Sequence, residues 1–221
     1  MASSRINIFS EHKATRSPTD YVGRFRSGMQ TSAGRPMSIQ EWRVTTGDPV
    51  VADRIADLYG GSPQSWQTKT DENLEVLTTE STVKVILDGP DAIRSGLILW
   101  GRGNQPIRKC DGVTQSDGQA CVCPSDLNAR KEAAKAGSGC DVSITISFAL
   151  ADDPDLGQWK FQSSSWTLAK EVGAAQDALD KIGGPALAEL SLVHVSYETR
   201  AGQRREFTKP VISVIGPAPD A

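Results

Sequence analysis

Four cysteines lie close together in the middle of this 221-residue chain, which contains no others. They are Cys110, Cys121, Cys123 and Cys140, with ten, one and sixteen residues between successive members. Zinc favours tetrahedral coordination by thiolates, and a structural zinc site is closed by four protein ligands. The cluster therefore predicts one structural Zn²⁺ ion, which would order a segment that has few apolar residues of its own.

Other roles for the four cysteines fit the sequence less well. The first residues lack the apolar core of a signal peptide, so the chain is expected in the cytoplasm, where thiols stay reduced and disulfides are rare. A redox pair is normally spaced C-x-x-C, and this spacing is absent. A catalytic zinc keeps one position for water and usually has histidine or carboxylate ligands. We therefore expect a structural metal in a protein that is not an enzyme.

The composition is that of an ordinary globular protein, with 38% hydrophobic residues, 23% charged residues and a net charge of −3. No apolar run approaches the roughly 20 residues that a membrane helix needs, so no membrane partner is expected. The net charge does not favour strong independent binding to DNA. Residues 1–43 nevertheless hold seven basic side chains and three acidic ones. We predict a basic N-terminal arm over residues 1–36, with Arg24, Arg26 and Arg35 as candidate partner contacts; solvated loop charge is the alternative.

A recurring order of elements surrounds the cysteine segment. In the first copy, residues 39–46 alternate as a strand, Asp48 and Pro49 begin a helix, and Gly60-Gly61 ends it. Residues 74–79 and 83–87 then follow as a predicted hairpin.

The second copy has the same order. Residues 158–163 predict a strand, Ser164 or Ser165 caps a helix that ends at Gly183-Gly184, and residues 188–197 and 209–215 predict a hairpin. Each copy is a β-α-β-β unit, although a coincidence of common local motifs is an alternative to duplication.

These patterns predict an α+β protein with two ferredoxin-like or RRM-like βαββ halves, at residues 37–87 and 142–221. Residues 88–141 are predicted to form an insertion between them, which lacks a regular hydrophobic pattern and is held together by the zinc ion. Within that insertion, residues 97–100 are strand-like and residues 127–136 could form a short exposed helix.

Two other functions remain open at this point. Tandem ferredoxin-like domains occur in RNA endonucleases that use a histidine as general base, and His12 and His194 are the two histidines of the chain. Neither has an obvious acid–base partner in the sequence. The second alternative is a zinc-bearing module that binds nucleic acid directly.

The order of motifs over residues 23–166 resembles one protein family. The motifs that carry the resemblance are Gly23-Arg24-Phe25-Arg26-Ser27-Gly28, Tyr59-Gly60-Gly61, Trp100-Gly101-Arg102-Gly103, the four cysteines, and Gly157-Gln158-Trp159. This order is similar to that of the recombination directionality factors of actinobacterial phages, which partner large serine integrases. The cysteine pattern together with Tyr-Gly-Gly is the most specific part of the resemblance.

The resemblance implies a regulatory role. Such a factor binds a large serine integrase on attachment-site DNA and switches recombination from integration toward excision of the prophage, without cutting DNA itself. The mobile coiled-coil arm of the integrase is a natural target. The resemblance also implies a location in the cytoplasm of the bacterial host and little DNA binding without the integrase.

Overall fold

The computed structural model describes residues 21–31, 33–200 and 202–219, and across these ranges the chain forms eleven β-strands and three α-helices. The strands are β1 Gly23–Gln30, β2 Pro36–Thr46, β3 Pro63–Ser65, β4 Leu74–Leu77, β5 Thr82–Asp88, β6 Ile93–Trp100, β7 Pro106–Cys110, β8 Asp141–Leu150, β9 Gln158–Ser163, β10 Pro185–Glu198 and β11 Arg204–Pro217. The helices are α1 Pro49–Tyr59, α2 Leu127–Lys135 and α3 Trp166–Ile182. The predicted α+β class is confirmed.

All of these strands belong to one sheet. Its order is β11-β10-β5-β8-β9-β1-β2-β4-β3, with β6 paired to β8 and β7 paired to β6. Neighbouring strands run antiparallel except for β1 and β9, which are parallel. β5 and β6 pair with successive parts of β8. The cysteine segment, which follows β6, is therefore attached directly to the main sheet.

The sheet curves, so that β2 and β10, which are far apart in the strand order, both contact the turn that joins β4 to β5. The carbonyl of Glu80 accepts a hydrogen bond from the Trp42 N–H of β2 at 3.1 Å, and the carbonyl of Ser81 accepts one from the Leu192 N–H of β10 at 2.7 Å. The turn therefore links β2 to β10, and the sheet encloses an apolar interior.

Phe25 on β1 lies at the centre of that interior. Its ring makes edge-to-face contacts with Trp42, Phe148 and Trp159, with centroid distances of 5.7, 5.4 and 5.3 Å. All four side chains are buried. Aromatic pairs of this geometry contribute about 0.5–1.5 kcal/mol each beyond their buried area. Residues 23–30, which lie within the predicted N-terminal arm of residues 1–36, thus form a central strand of the sheet.

Both principal helices begin and end where the sequence predicts. Asp48 caps α1 by accepting from the Val50 N–H, and Ser165 caps α3 by accepting from the Leu168 N–H. α3 ends at Gly183, which has a positive φ of 71°. The apolar faces of the two helices are buried against the sheet, through Val51, Ala52, Ile55, Tyr59, Leu168, Val172, Ala175 and Leu179.

The predicted hairpin of residues 74–79 and 83–87 is wrong. β4 pairs with β2 and β3, whereas β5 lies between β10 and β8. Val83, Val85 and Leu87, which share one face of β5, are fully buried there. A strand with such a face is better buried between two neighbours than in an isolated two-stranded hairpin, which is only marginally stable.

The arrangement as two ferredoxin-like halves is not confirmed, because strands from residues 37–87 and 142–221 alternate within one sheet. The hairpin of β10 and β11 is confirmed, as is the exposed helix α2. The predicted boundaries of the arm, halves and insertion remain predictions, and residues 1–20 lie outside the described ranges. Within those ranges, no helix combines the length and the apolar character needed to cross a membrane.

Candidate metal centre

Two of the four cysteines are positioned by the sheet itself. Cys110 is the last residue of β7, and Cys140 directly precedes β8. β6 lies between these two strands, with Leu97 opposite both Cys110 and Val142. Cys121 and Cys123 lie on the loop that connects β7 to α2. The backbone hydrogen bonds of three neighbouring strands therefore hold the outer pair in place, and the loop brings the inner pair to them.

The four sulfur atoms converge. The Sγ atoms of Cys110, Cys123 and Cys140 all lie within 4.8 Å of one another, and the Sγ of Cys121 lies 3.5 Å from that of Cys110. Zinc–sulfur bonds of about 2.3 Å in a tetrahedron place the sulfurs about 3.8 Å apart. These separations fit a tetrahedral metal ion with three cysteines already grouped and the fourth beside them.

Burial opposes ionisation of the Cys110 and Cys123 thiols. Cys110, Cys123 and Cys140 are buried, with Leu97 and Leu99 packed against them. Burial raises the pKa of the Cys110 thiol to about 12. For Cys123 burial opposes ionisation, but hydrogen bonds from the backbone and side chain of Cys140 outweigh it, and its pKa falls below the ordinary value. Since the thiolate is the form that binds metal, a cation at the centre would stabilise the form that Cys110 otherwise resists.

Arg108 supplies positive charge beside the sulfurs. Its Nε donates to the Sγ of Cys140 at 3.3 Å, and its Nη2 donates to the Sγ of Cys123 at 3.5 Å. The same Nη2 lies 3.4 Å from the carbonyl oxygen of Ser138. Sequence reasoning missed this residue; the available signal was a basic side chain two positions before Cys110, on the same face of a strand.

The loops around the cluster are held by two polar side chains. The Asp111 carboxylate accepts from the N–H groups of Val113 and Thr114, both at 2.7 Å, and these hydrogen bonds lower its pKa. This carboxylate thereby shapes the turn that follows Cys110. Arg130 of α2 donates to the carbonyl oxygens of Pro124 at 2.8 Å and Gly112 at 3.1 Å. It thereby connects the loops that follow Cys110 and Cys123.

The three arginines predicted to contact a partner lie in two places. Arg24 and Arg26 are on the outer face of β1 and share the carboxylate of Glu72, at 2.7 and 3.1 Å. Arg35 is exposed in the turn between β1 and β2. The structure therefore brings Arg24 and Arg26 together and leaves Arg35 at the end of the hairpin. Their role in partner binding remains a prediction.

A cavity of about 730 Å³ lies beside the cysteine cluster, and we call it the outer cavity. Outward-facing side chains of β6, β8 and β9 and the turn after Cys110 line it; they include Arg94, Thr145, Lys160, Gln162 and Thr114. Burial, together with the nearby charges of Arg24 and Arg94, lowers the pKa of Lys160.

Trp100 lines the outer cavity, with 51% of its surface exposed. It lies at the end of β6, where the strand leaves the covered part of the sheet.

The histidines form no recognisable catalytic pair in the described part of the chain. His194 lies on β10, with its Nε2 4.0 Å from a carboxylate oxygen of Glu206. His12 falls outside the described residues. The proposed endonuclease role of these two residues thus remains untested.

A family model described as Gp3-like, recombination directionality factor-like, matches residues 22–215. The matched region runs from the start of β1 almost to the end of β11, and so includes all four cysteines. No solved structure matches the chain.

Proposed function

This chain belongs to the Gp3-like, recombination directionality factor-like family, and on that premise we propose that it binds a large serine integrase on attachment-site DNA. In this proposal it switches recombination from integration toward excision, in the cytoplasm of the bacterial host. The single observation that carries the proposal is the family match over residues 22–215, which spans nearly the whole described fold.

The proposed action is a shift of populations rather than a chemical step. An integrase on DNA has arrangements that favour integration and others that favour excision, and a protein that binds one arrangement more tightly raises its share. Moving such an equilibrium from 1:99 to 99:1 needs a preference of about 10⁴-fold, or about 5.5 kcal/mol. The integrase performs all DNA cleavage, and the present chain contributes only binding energy.

We further propose that Cys110, Cys121, Cys123 and Cys140 hold one structural Zn²⁺. The convergence of their sulfur atoms beside Arg108 supports this assignment. When bound, the ion cross-links the end of β7, the following loop and the start of β8. Four thiolates complete a tetrahedral shell and leave no position for a catalytic water, so the metal's role is to maintain the shape of this surface.

The proposal is tested by a recombination assay with purified components. The integrase encoded by the same phage is mixed with DNA carrying either the two original attachment sites or the two hybrid sites that integration produces. Adding the present protein is expected to promote recombination between hybrid sites and to inhibit it between original sites.

Three controls complete the assay: integrase alone, the present protein alone, and an unrelated serine integrase. The present protein alone is expected to leave both DNA substrates intact. Unchanged direction of recombination with the cognate integrase, at protein concentrations well above that of the integrase, would overturn the proposal.

A further inference from the structure

The outer cavity has more positive than negative charge. Arg94 and Lys160 line it from the sheet, and Lys109 lines it from β7. The carboxylate of Asp111 also lines it, but one of its oxygens already accepts two backbone N–H groups. Among the described residues, neither Arg94 nor Lys160 has a carboxylate within 4.0 Å. These two cations are therefore available to an anionic ligand.

The same face of the sheet already binds a carboxylate. Next to Lys160 in the register is Arg24, and the Glu72 carboxylate accepts from Arg24 and Arg26 and also from the Thr45 hydroxyl at 3.0 Å. Two guanidinium groups thus share one acidic side chain from a neighbouring loop. Lys160 and Arg94 continue this basic row across β9 and β6 without a corresponding carboxylate.

The lining of the outer cavity indicates which class of acidic ligand fits. Besides its cations it contains apolar surface from Leu97 and Ile98, and the half-exposed indole of Trp100. Tryptophan and arginine are enriched in protein–protein interfaces, where an apolar centre is surrounded by polar groups. A nucleic acid would use the cations but would leave most of this aliphatic surface without a matching partner. The combination favours a protein ligand.

We propose that the outer cavity docks an acidic segment of a protein partner, with its carboxylates against Arg94 and Lys160 and an apolar side chain against Trp100. This inference rests on the proposed function, in which the partner is the integrase. It places that contact beside the cysteine cluster, on the surface that a bound metal would hold in shape.

The test measures association with the cognate integrase on a biosensor, at low and at physiological salt. The Arg94→Glu/Lys160→Glu variant reverses the charges of the two cations that have no carboxylate partner. The matched control, Lys170→Glu/Lys181→Glu, makes the same charge change at exposed positions of α3. Opposite charges at an interface raise the association rate and make it depend on salt. We expect the cavity variant to associate about tenfold more slowly at low salt and the control less than about twofold more slowly.

Trp100→Ala tests the apolar contact separately, and its complex is expected to dissociate at least about fivefold faster, because a buried interface tryptophan acts mainly on the dissociation rate. Circular dichroism and metal content are measured for every variant, so that a folding defect is not taken for a binding defect. Arg94→Lys and Lys160→Arg retain the charges and are expected to bind like the wild type.

Each other outcome has a distinct meaning. Equal association of the wild type and the cavity variant would overturn this inference and leave the proposed function standing. Salt-sensitive binding of attachment-site DNA alone, lost in the cavity variant while integrase binding persists, would overturn it in favour of a nucleic-acid site. If the wild type does not bind the integrase at all, the proposed function is overturned, and this inference with it.

Discussion

Arg108 donates from its Nε to the Sγ of Cys140 across 3.3 Å, so a guanidinium cation lies directly against the cysteine cluster. Four thiolates around one Zn²⁺ carry a net charge of −2, and a neighbouring cation offsets part of it. The arginine is provided by β7, the same strand that ends at Cys110. One short strand therefore supplies both a candidate ligand and a charge that stabilises the cluster.

Replacing Arg108 tests this relationship. Arg108→Gln is expected to lower zinc affinity by about 10- to 100-fold, the usual effect of removing a group that hydrogen-bonds to metal ligands. Competition with a chromogenic chelator measures the affinity. Arg102→Gln, at an exposed position in the β6–β7 turn, is the control. Equal affinities of the two variants would contradict a role for Arg108 at the metal.

Cys140→Ser tests the metal centre itself. Cys140 is fully buried and its sulfur lies within 4.8 Å of two others, so its loss should remove a ligand and leave a buried hydroxyl. We expect about one zinc ion per chain in the wild type and much less in the variant, with a lower melting temperature. Elemental analysis and calorimetry measure these quantities.

Val122→Ser is the matched control, because Val122 lies between two of the cysteines and has 67% of its surface exposed. It should retain the metal. A wild-type protein that keeps its melting temperature after complete removal of the metal would show that the metal has no structural role.

The glycine pair that follows α1 has a steric explanation. Gly60 and Gly61 have positive φ angles of 75° and 87°, and a Cβ on Gly61 would collide with the carbonyl oxygen of Leu77. Gly61→Ala is therefore expected to lower the free energy of unfolding by well over the 1–2 kcal/mol or so that left-handed backbone alone costs. Urea denaturation measures it.

Gly89→Ala provides the comparison, since Gly89 has a φ of 72° and open space where the Cβ would lie. It should show only the backbone cost. If both variants lose the same stability, the collision at Gly61 is relieved by movement of the chain.

Tyr59 predicts a dependence of stability on alkaline pH. Burial, followed by the charge and hydrogen bond of Asp152 at 3.1 Å, raises its pKa above the ordinary value of 10.0. The folded state thus favours the protonated phenol, and this stabilisation is complete below about pH 10 and is lost as the pH rises toward the folded-state pKa. Tyr59→Phe should be less stable by about 1–2 kcal/mol at neutral pH, because Asp152 loses its donor.

The comparison is made by urea denaturation of both proteins at several pH values. Above about pH 10 the wild type should lose stability more steeply than Tyr59→Phe, by up to about 1.4 kcal/mol per pH unit for one ionising group. The cysteines are common to both proteins and cancel in the difference. Parallel curves would contradict the assignment to Tyr59.

Much of the local structure could be predicted from the sequence. Asp48 and Ser165 marked the starts of α1 and α3, the Gly-Gly pairs marked their ends, and the last two strands were correctly predicted as a hairpin. The four cysteines were also identified as one cluster. The caps and the hairpin depend on contacts between residues close in the chain. Four clustered cysteines have few roles in a protein other than binding a metal or forming disulfides.

Strand pairing could not be predicted in the same way. β4 and β5 are joined by a short turn, yet they pair with different neighbours, and Phe25 lies at the centre of the core although arginines flank it. The choice among possible partners is made by burial of whole strand faces in the assembled sheet, which involves residues more than a hundred positions apart. A local sequence pattern therefore does not indicate which strands pair with each other.

The sequence by itself determined the secondary structure around each cap, the presence of a cysteine cluster and the family resemblance. Only the tertiary structure decided that the apparent halves share one curved sheet, that Glu72 binds Arg24 and Arg26, and that Arg108 lies against the cysteines. The physical reason is the distance along the chain over which each kind of interaction acts. Capping and metal-ligand chemistry belong to a residue and its near neighbours, whereas the partner of a charge or of a strand edge is selected by the packing of the entire chain.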